Sequence, residues 1–73
     1  MYYLTEKIRR DIGKNIKKFR KVRGLKQIEV SVDAGINSSY YGKIERGIVN
    51  PSVEKVYRII KALKTSSKEI FPF

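Results

Sequence analysis

The chain contains no cysteine, which removes disulfide staples, thiolate metal sites and thiol nucleophiles. It contains no histidine either, so the usual general base near neutral pH and the commonest metal ligand are both missing. Acidic residues are scarce, 7 against 17 Lys and Arg. They are scattered among lysines, and none forms a pair in an apolar setting suited to acid–base work. No glycine motif of the phosphate-cradling kind is present. No apolar run approaches the ~20 residues of a membrane span, and the opening Met-Tyr-Tyr-Leu-Thr-Glu is far too short for a secretory signal. The expectation is a cytoplasmic protein that is not an enzyme, with no metal, no cofactor and no evident small-molecule ligand.

What the chain does have is positive charge. Its 73 residues carry a net charge of +10, which favours a polyanionic partner. The excess is uneven, since residues 1–26 hold ten basic and two acidic residues, against seven and five in residues 27–73. A solvated basic face is the plain alternative reading of such a bias. The length suits one small domain, residues 1–73, with a single core.

Hydrophobic spacing predicts an all-α chain of five short helices. Ile8, Ile12, Ile16 and Phe19 form the inward stripe of a first helix from about Thr5 or Lys7 to Arg23. Gly24 is placed to end it, Arg20, Lys21 and Arg23 crowd its last turn, and Leu25 turns back onto the core. The second and third helices cover roughly 27–34 and 38–46. Pro51 prevents the third from continuing. Ser52 is the expected N-cap of a fourth helix, about 53–63, with Val53, Val56, Tyr57, Ile60 and Leu63 at helical spacing. Residues 64–66 link to a last turn over 67–71, with Ser66 as its expected cap.

Residues 27–47 are the most informative stretch. Val30, Ser31 and Ala34 line the inner side of the second helix, Gly35 breaks it, Ile36 plugs the turn, and Tyr41 and Ile44 bury the third. Asn37 stands where its side-chain oxygen can accept from the free N–H groups opening that third helix. Two helices joined by a short glycine-containing turn match the helix-turn-helix motif, whose second helix can lie in a DNA major groove. On a helix starting at Ser38, positions 38, 39, 42, 43 and 46 lie opposite Tyr41 and Ile44 and would face that groove.

Together these residues resemble the lambda-repressor-like, Cro/Xre class of DNA-binding domains. The resemblance is carried by Ile12-Gly13 with Ile16 and Arg20, by Gly24-Leu25 with Gln27, and by Ala34-Gly35-Ile36. Tyr40-Tyr41 with Lys43-Ile44-Glu45-Arg46-Gly47, Asn50-Pro51-Ser52, Ala62-Leu63 and Ile70-Phe71 complete it. It covers about residues 8–71, and it implies a five-helix domain with the helix-turn-helix at helices two and three. The chain departs from the class pattern in three places. Lys26 stands where a Ser or Thr usually caps helix two, at a cost of ~1 kcal/mol. Ile28 and Val32 occupy outward positions usually charged; they are either scattered surface apolar residues or a contact surface. Gly42 lies mid-helix, where it costs ~1 kcal/mol relative to Ala, and is either tolerated or allows close approach to a base pair or phosphate.

The resemblance also implies roles. Ser38, Ser39 and Lys43 fall at base-contacting positions, serine discriminating weakly and lysine able to donate to guanine O6 and N7. A phosphate contact or a solvated charge is the alternative for Lys43, and local capping or backbone bonding for the serines. Gln27 would donate to a phosphate and brace the recognition helix. Asn37, Tyr40, Arg46 and Asn50 fall at phosphate positions, which fix register without reading sequence, and N–H groups at Ser52 and Val53 could hold a further phosphate. Tyr41 is expected in the core. Arg20 and Glu45 would form a structural ion pair between helices one and three, while the remaining basic residues of helix one act at long range.

The leading expectation is a sequence-specific double-stranded-DNA-binding transcriptional regulator that acts as a homodimer on a palindromic operator. Its size is similar to that of restriction–modification controller proteins, small phage or mobile-element repressors and antitoxin regulators. With no separate oligomerisation domain expected, residues 64–73 are the anticipated dimerisation tail, with Leu63, Ile70, Phe71 and Phe73 at a two-fold interface. Intramolecular folding of Phe73 is the alternative. A protein-interaction module or antitoxin that does not read an operator is the competing function, and a membrane-surface peptide is a weaker third, since glycine breaks and a core pattern follow the basic helix.

Overall fold

Local capping chemistry sets the bounds of the helices. A computed structural model describes residues 5–72, which contain α1 (Glu6–Val22), α2 (Gln27–Ala34), α3 (Ser38–Arg46), α4 (Val53–Leu63) and α5 (Ser67–Ile70), and no strand among the described residues. Thr5 opens α1 by accepting from the Ile8 N–H at 3.2 Å. Asn37 Oδ1 accepts from the N–H groups of Ser39 at 2.9 Å and Tyr40 at 3.2 Å, and Ser52 Oγ accepts from that of Lys55 at 3.2 Å. Each takes up a donor that a helix leaves unpaired in its first turn. At α2, Lys26 makes no side-chain cap bond, because an ammonium has nothing to accept with. Glu29 compensates from the other direction, its carboxylate taking the Lys26 N–H at 2.7 Å, half of the reciprocal capping arrangement. Ser66 occupies the N-cap position of α5 but makes no side-chain bond there, so the cap expected of it is not formed.

The core unites the inner faces of all five helices. Ile12, Ile16, Val30, Tyr41, Val56 and Ile59 are essentially inaccessible, and Ile36 plugs the turn after Gly35. Gly35 takes the left-handed conformation, φ 68°, which suits a residue without a side chain. The buried face of α4 is Val56, Ile59, Ile60 and Leu63. Val53 and Tyr57, placed inward by spacing alone, are instead exposed at 79% and 57%. An inward face through Ile59 and Leu63 turns Tyr57 outward, whereas Val53 is the first residue of α4 and lies at its exposed start.

α1 ties the other elements together. Its Gly13 lies against the end of α3, where a Cβ would stand 2.6 Å from the Ile44 carbonyl oxygen and collide with that of Glu45. Arg23 donates to the carbonyls of Leu63 at 3.0 Å and Lys64 at 2.6 Å, closing the C-terminus of α4. Asn15 Nδ2 donates to the Ile70 carbonyl at 2.9 Å and anchors α5.

That anchoring changes the reading of the tail. Leu63 and Ile70 have 0% exposure within the single chain, so neither can present a surface to a second copy. They are core residues, and their assignment to a dimer interface is corrected accordingly. Phe71 is half-buried and packs against the core edge. Phe73 lies outside the described residues.

Candidate nucleic-acid interface

α3 has two faces of different chemistry. Tyr41, Ile44 and Glu45 are buried behind it, while Ser38, Ser39, Lys43 and Arg46 are exposed on the opposite side. Among the described residues the hydroxyls of Ser38 and Ser39 make no hydrogen bond, and no carboxylate pairs with Lys43 or Arg46. The local bonding that could have occupied the two serines is therefore not made. Gly42, expected in the groove-facing set, is buried. The cover comes from side chains on either side, because a Cβ there would stand 3.7 Å from an Arg46 guanidinium nitrogen and 3.8 Å from Gln27 Oε1. The structure thus gathers Gln27, Gly42 and Arg46 into one spot. Since those distances are ordinary contacts, space within the chain does not demand glycine there.

Behind this face, Glu45 carries the most connected side chain among the described residues. Arg20 Nε donates to Oε2 at 2.7 Å and its terminal nitrogen to Oε1 at 3.2 Å. The Tyr41 hydroxyl donates to Oε2 at 2.6 Å and Gln27 Nε2 to Oε1 at 2.9 Å. Arg20 also reaches the Leu25 carbonyl at 2.9 Å. Burial pushes the Glu45 carboxyl upward, but donation from Arg20, Tyr41 and Gln27 outweighs it and holds the group below the usual carboxylate range. The Tyr41 hydroxyl moves up, because burial disfavours its anion and so does the bond it gives to Glu45. The hydrogen bond to Glu45 raises Arg20 above its ordinary value despite burial. α3 is therefore clamped to α1 by a charged, fully bonded carboxylate, with α2 attached through Gln27.

The remaining site residues divide between the two ends of α3. Asn37 and Tyr40 lie one turn apart at its start, the Asn37 oxygen committed to capping. Arg46 lies at its other end, about 13 Å along the axis from Asn37, and Asn50 is exposed in the loop beyond. Tyr41 belongs to the core, yet its hydroxyl joins the Glu45 cluster, a role not anticipated from its apolar position. The four-residue spacing from Tyr41 to Glu45 on one helix was the available signal. On α1, Arg10 pairs with Glu6 at 2.6 Å and Lys7 with Asp11 at 2.9 Å, so part of its basic charge is neutralised locally. Among the described residues no cluster of acidic side chains could hold a metal, and no helix is long and apolar enough to cross a membrane.

Comparison with known proteins agrees with this geometry. The family described as Helix-turn-helix matches residues 16–70. The uncharacterised HTH-type transcriptional regulator y4dJ of Sinorhizobium fredii is 35% identical over 63 residues, covering 86% of this chain and 82% of that protein. The HTH-type transcriptional regulator SlrR of Bacillus subtilis is 36% identical over 61 residues, but the match spans 82% of this chain and only 40% of SlrR. Among solved structures, the restriction-modification controller protein C.AhdI from Aeromonas hydrophila superposes with a TM-score of 0.83 at 28% identity, covering 86% of this chain and 96% of that one. The controller protein C.Esp1396I, solved as a tetramer in complex with its natural 35 base-pair operator, gives 0.77 at 25% identity over 86% of this chain and 93% of its own.

Proposed function

Because the chain belongs to the Helix-turn-helix family in its Cro/Xre form, we propose that it is a transcriptional regulator that binds a specific double-stranded DNA site as a homodimer. It works by binding rather than catalysis, in the cytoplasm. The observation that carries this reading is the division of α3 into an outer face of unpaired polar and cationic side chains and an inner face clamped by Glu45. In this reading Ser38, Ser39 and Lys43 meet base edges, the lysine supplying most of the discrimination. Gln27, Asn37, Tyr40, Arg46 and Asn50 meet phosphates and set the register. Gln27 serves both sides, since one N–H of its amide goes to Glu45 and the second remains for a phosphate.

So few base-reading side chains give little selectivity alone, which supports pairing on a palindrome with half-sites about one helical turn, ~34 Å, apart. The operator complex of C.Esp1396I offers a parallel, being a tetramer on its own DNA. Selection from random duplexes, followed by gel-shift titration at two salt concentrations, tests the reading. A recovered two-fold-symmetric site, bound far more tightly than unselected DNA, is the expected result. Equal affinity for selected and unselected duplexes would leave only a general polyanion binder. Sedimentation equilibrium with and without the site gives the stoichiometry.

A further inference from the structure

The edge of α3 that faces α4 carries a cation that the sequence motif does not mark. Lys55 lies in the first turn of α4, and its ammonium sits 5.4 Å from the centroid of the Tyr40 ring. Both residues are half-buried, so this lysine is turned toward the recognition helix rather than out into solvent. Two other lysines stand over rings, Lys18 over Phe19 and Lys61 over Tyr57, each at 5.6 Å. Those pairs lie within one helix and follow from local spacing. The Lys55–Tyr40 pair joins two helices and depends on the tertiary fold. Its acidic neighbour Glu54 is taken by Arg58 at 2.8 Å, and among the described residues no carboxylate pairs with Lys55.

A cation over an aromatic face keeps its full charge and its N–H donors. The phosphate candidates at this end of α3 are Asn37 and Tyr40, both neutral, whereas Arg46 and the loop residue Asn50 follow at the opposite end. Neutral donors can place a phosphate, but the displacement of counterions that drives binding requires a cation. We propose that Lys55, positioned by the Tyr40 ring, is a DNA phosphate ligand, the charged half of a two-helix clamp on the strand passing the start of α3. This rests on the DNA-binding reading above and adds to it a residue outside the helix-turn-helix. Tyr40 acts as a positioning residue for Lys55, in addition to any contact of its own hydroxyl.

The test uses the full chain and the duplex recovered by selection, with affinity measured across a salt series. Lys55→Met keeps the aliphatic stem and removes the charge. The slope of log affinity against log salt should become shallower by about 0.9, the amount expected of one lost phosphate contact on duplex DNA, with the ranking of operator variants unchanged. Lys55→Gln should do the same and guards against an effect of methionine packing, with circular dichroism melts verifying that each variant folds. Lys55→Arg and Tyr40→Phe should retain the contribution of this cation, whereas on a Tyr40→Leu background Lys55→Met should change the slope by less than half as much. Lys61→Met, over a ring in its own helix, is the control. A slope in Lys55→Met equal to that of the parent, or altered no more than in Lys61→Met, would overturn the assignment while leaving DNA binding intact. A parent chain without salt-dependent duplex affinity would instead remove both readings together.

Discussion

Replacing Glu45 with alanine is the sharpest perturbation the structure offers. The Glu45 side chain is 2% exposed and that of its partner Arg20 is 11% exposed. Deleting the carboxylate leaves the guanidinium with the Leu25 carbonyl as its remaining partner and strands the Tyr41 hydroxyl in the core. Removing one member of a buried ion pair costs about 3–5 kcal/mol. A domain of this length has a total stability of roughly 4–11 kcal/mol, so from about a quarter to all of it is at stake. With an unfolding entropy of about 2.1 cal/mol/K per residue, each kcal/mol shifts the midpoint by about 6 °C. Glu45→Ala should therefore melt about 20–30 °C below the parent in a thermal circular dichroism scan, with a parallel fall in the urea midpoint. The companion variant Arg20→Met, Glu45→Leu, Tyr41→Phe removes both charges and the hydroxyl at once, leaving the exposed Gln27 amide, which can turn to water, and the part-buried Leu25 carbonyl. It should recover most of the loss, because apolar replacement of a whole buried ionic cluster is often neutral or stabilising. A Glu45→Ala melt within a few degrees of the parent would refute the reasoning. So would a triple variant no more stable than the single one.

Three further outcomes are expected. Lys43→Ala should alter the preference at one operator position by about 1–3 kcal/mol, whereas Arg46→Ala should weaken all sequences alike and flatten the salt slope, as competition gel shifts would reveal; an unchanged operator ranking in Lys43→Ala would exclude base reading by that residue. Gly42→Ala should raise stability by up to about 1 kcal/mol in urea unfolding, since the added methyl meets only side-chain atoms at 3.7 and 3.8 Å, and a destabilised variant would mean that α3 packs more tightly than described. Stability should fall as acid drives pH below about 4.5, because the folded chain holds Glu45 below its ordinary value and the unfolded chain takes up the proton first. It should also decline above about pH 10, where unfolded Tyr41 ionises and the buried hydroxyl resists. Tyr41→Phe should lessen that alkaline decline in urea midpoints, and an identical alkaline profile in the variant would show that Tyr41 contributes none of it.

The bounds of α2, α3 and α4 are legible in the chain because their determinants are local. Asn37 and Ser52 open helices, Gly35 and Gly47 close them, and Pro51 forbids continuation. The Glu29 cap was legible in principle, three residues beyond Lys26, but a search for side-chain acceptors at the N-cap itself passes over it. Periodicity is less decisive. Val53 and Tyr57 fit a helical stripe as well as Ile59 does, and only the placement of α2 and α1 around α4 selects the face through Ile59. The tail shows the same limit more strongly. Leu63 and Ile70 are apolar near one end of the chain, which suits an interface as well as a core, and the Asn15 bond to the Ile70 carbonyl that decides for the core spans 55 positions. At the candidate interface, residue types and helical phase mark Ser38, Ser39 and Lys43. The joining of Gln27 to Glu45, and of Lys55 to Tyr40, arises only once separate helices meet.

The clamping of α3 from behind has a consequence for how such proteins diversify. Orientation of the helix is set by Gly13, Arg20, Tyr41 and Glu45, whereas Ser38, Ser39 and Lys43 make no side-chain bond among the described residues on which the fold depends. In the proposed reading, the address and the α3 part of the chassis thus occupy different positions of the same nine-residue helix. Mutation can rewrite the address at almost no thermodynamic penalty, so related chains sharing this chassis can drift to unrelated target sites, and overall sequence likeness becomes a poor guide to which DNA each one reads. Transplanting three outer residues between relatives should carry the target preference with them and leave the melting temperature where it was.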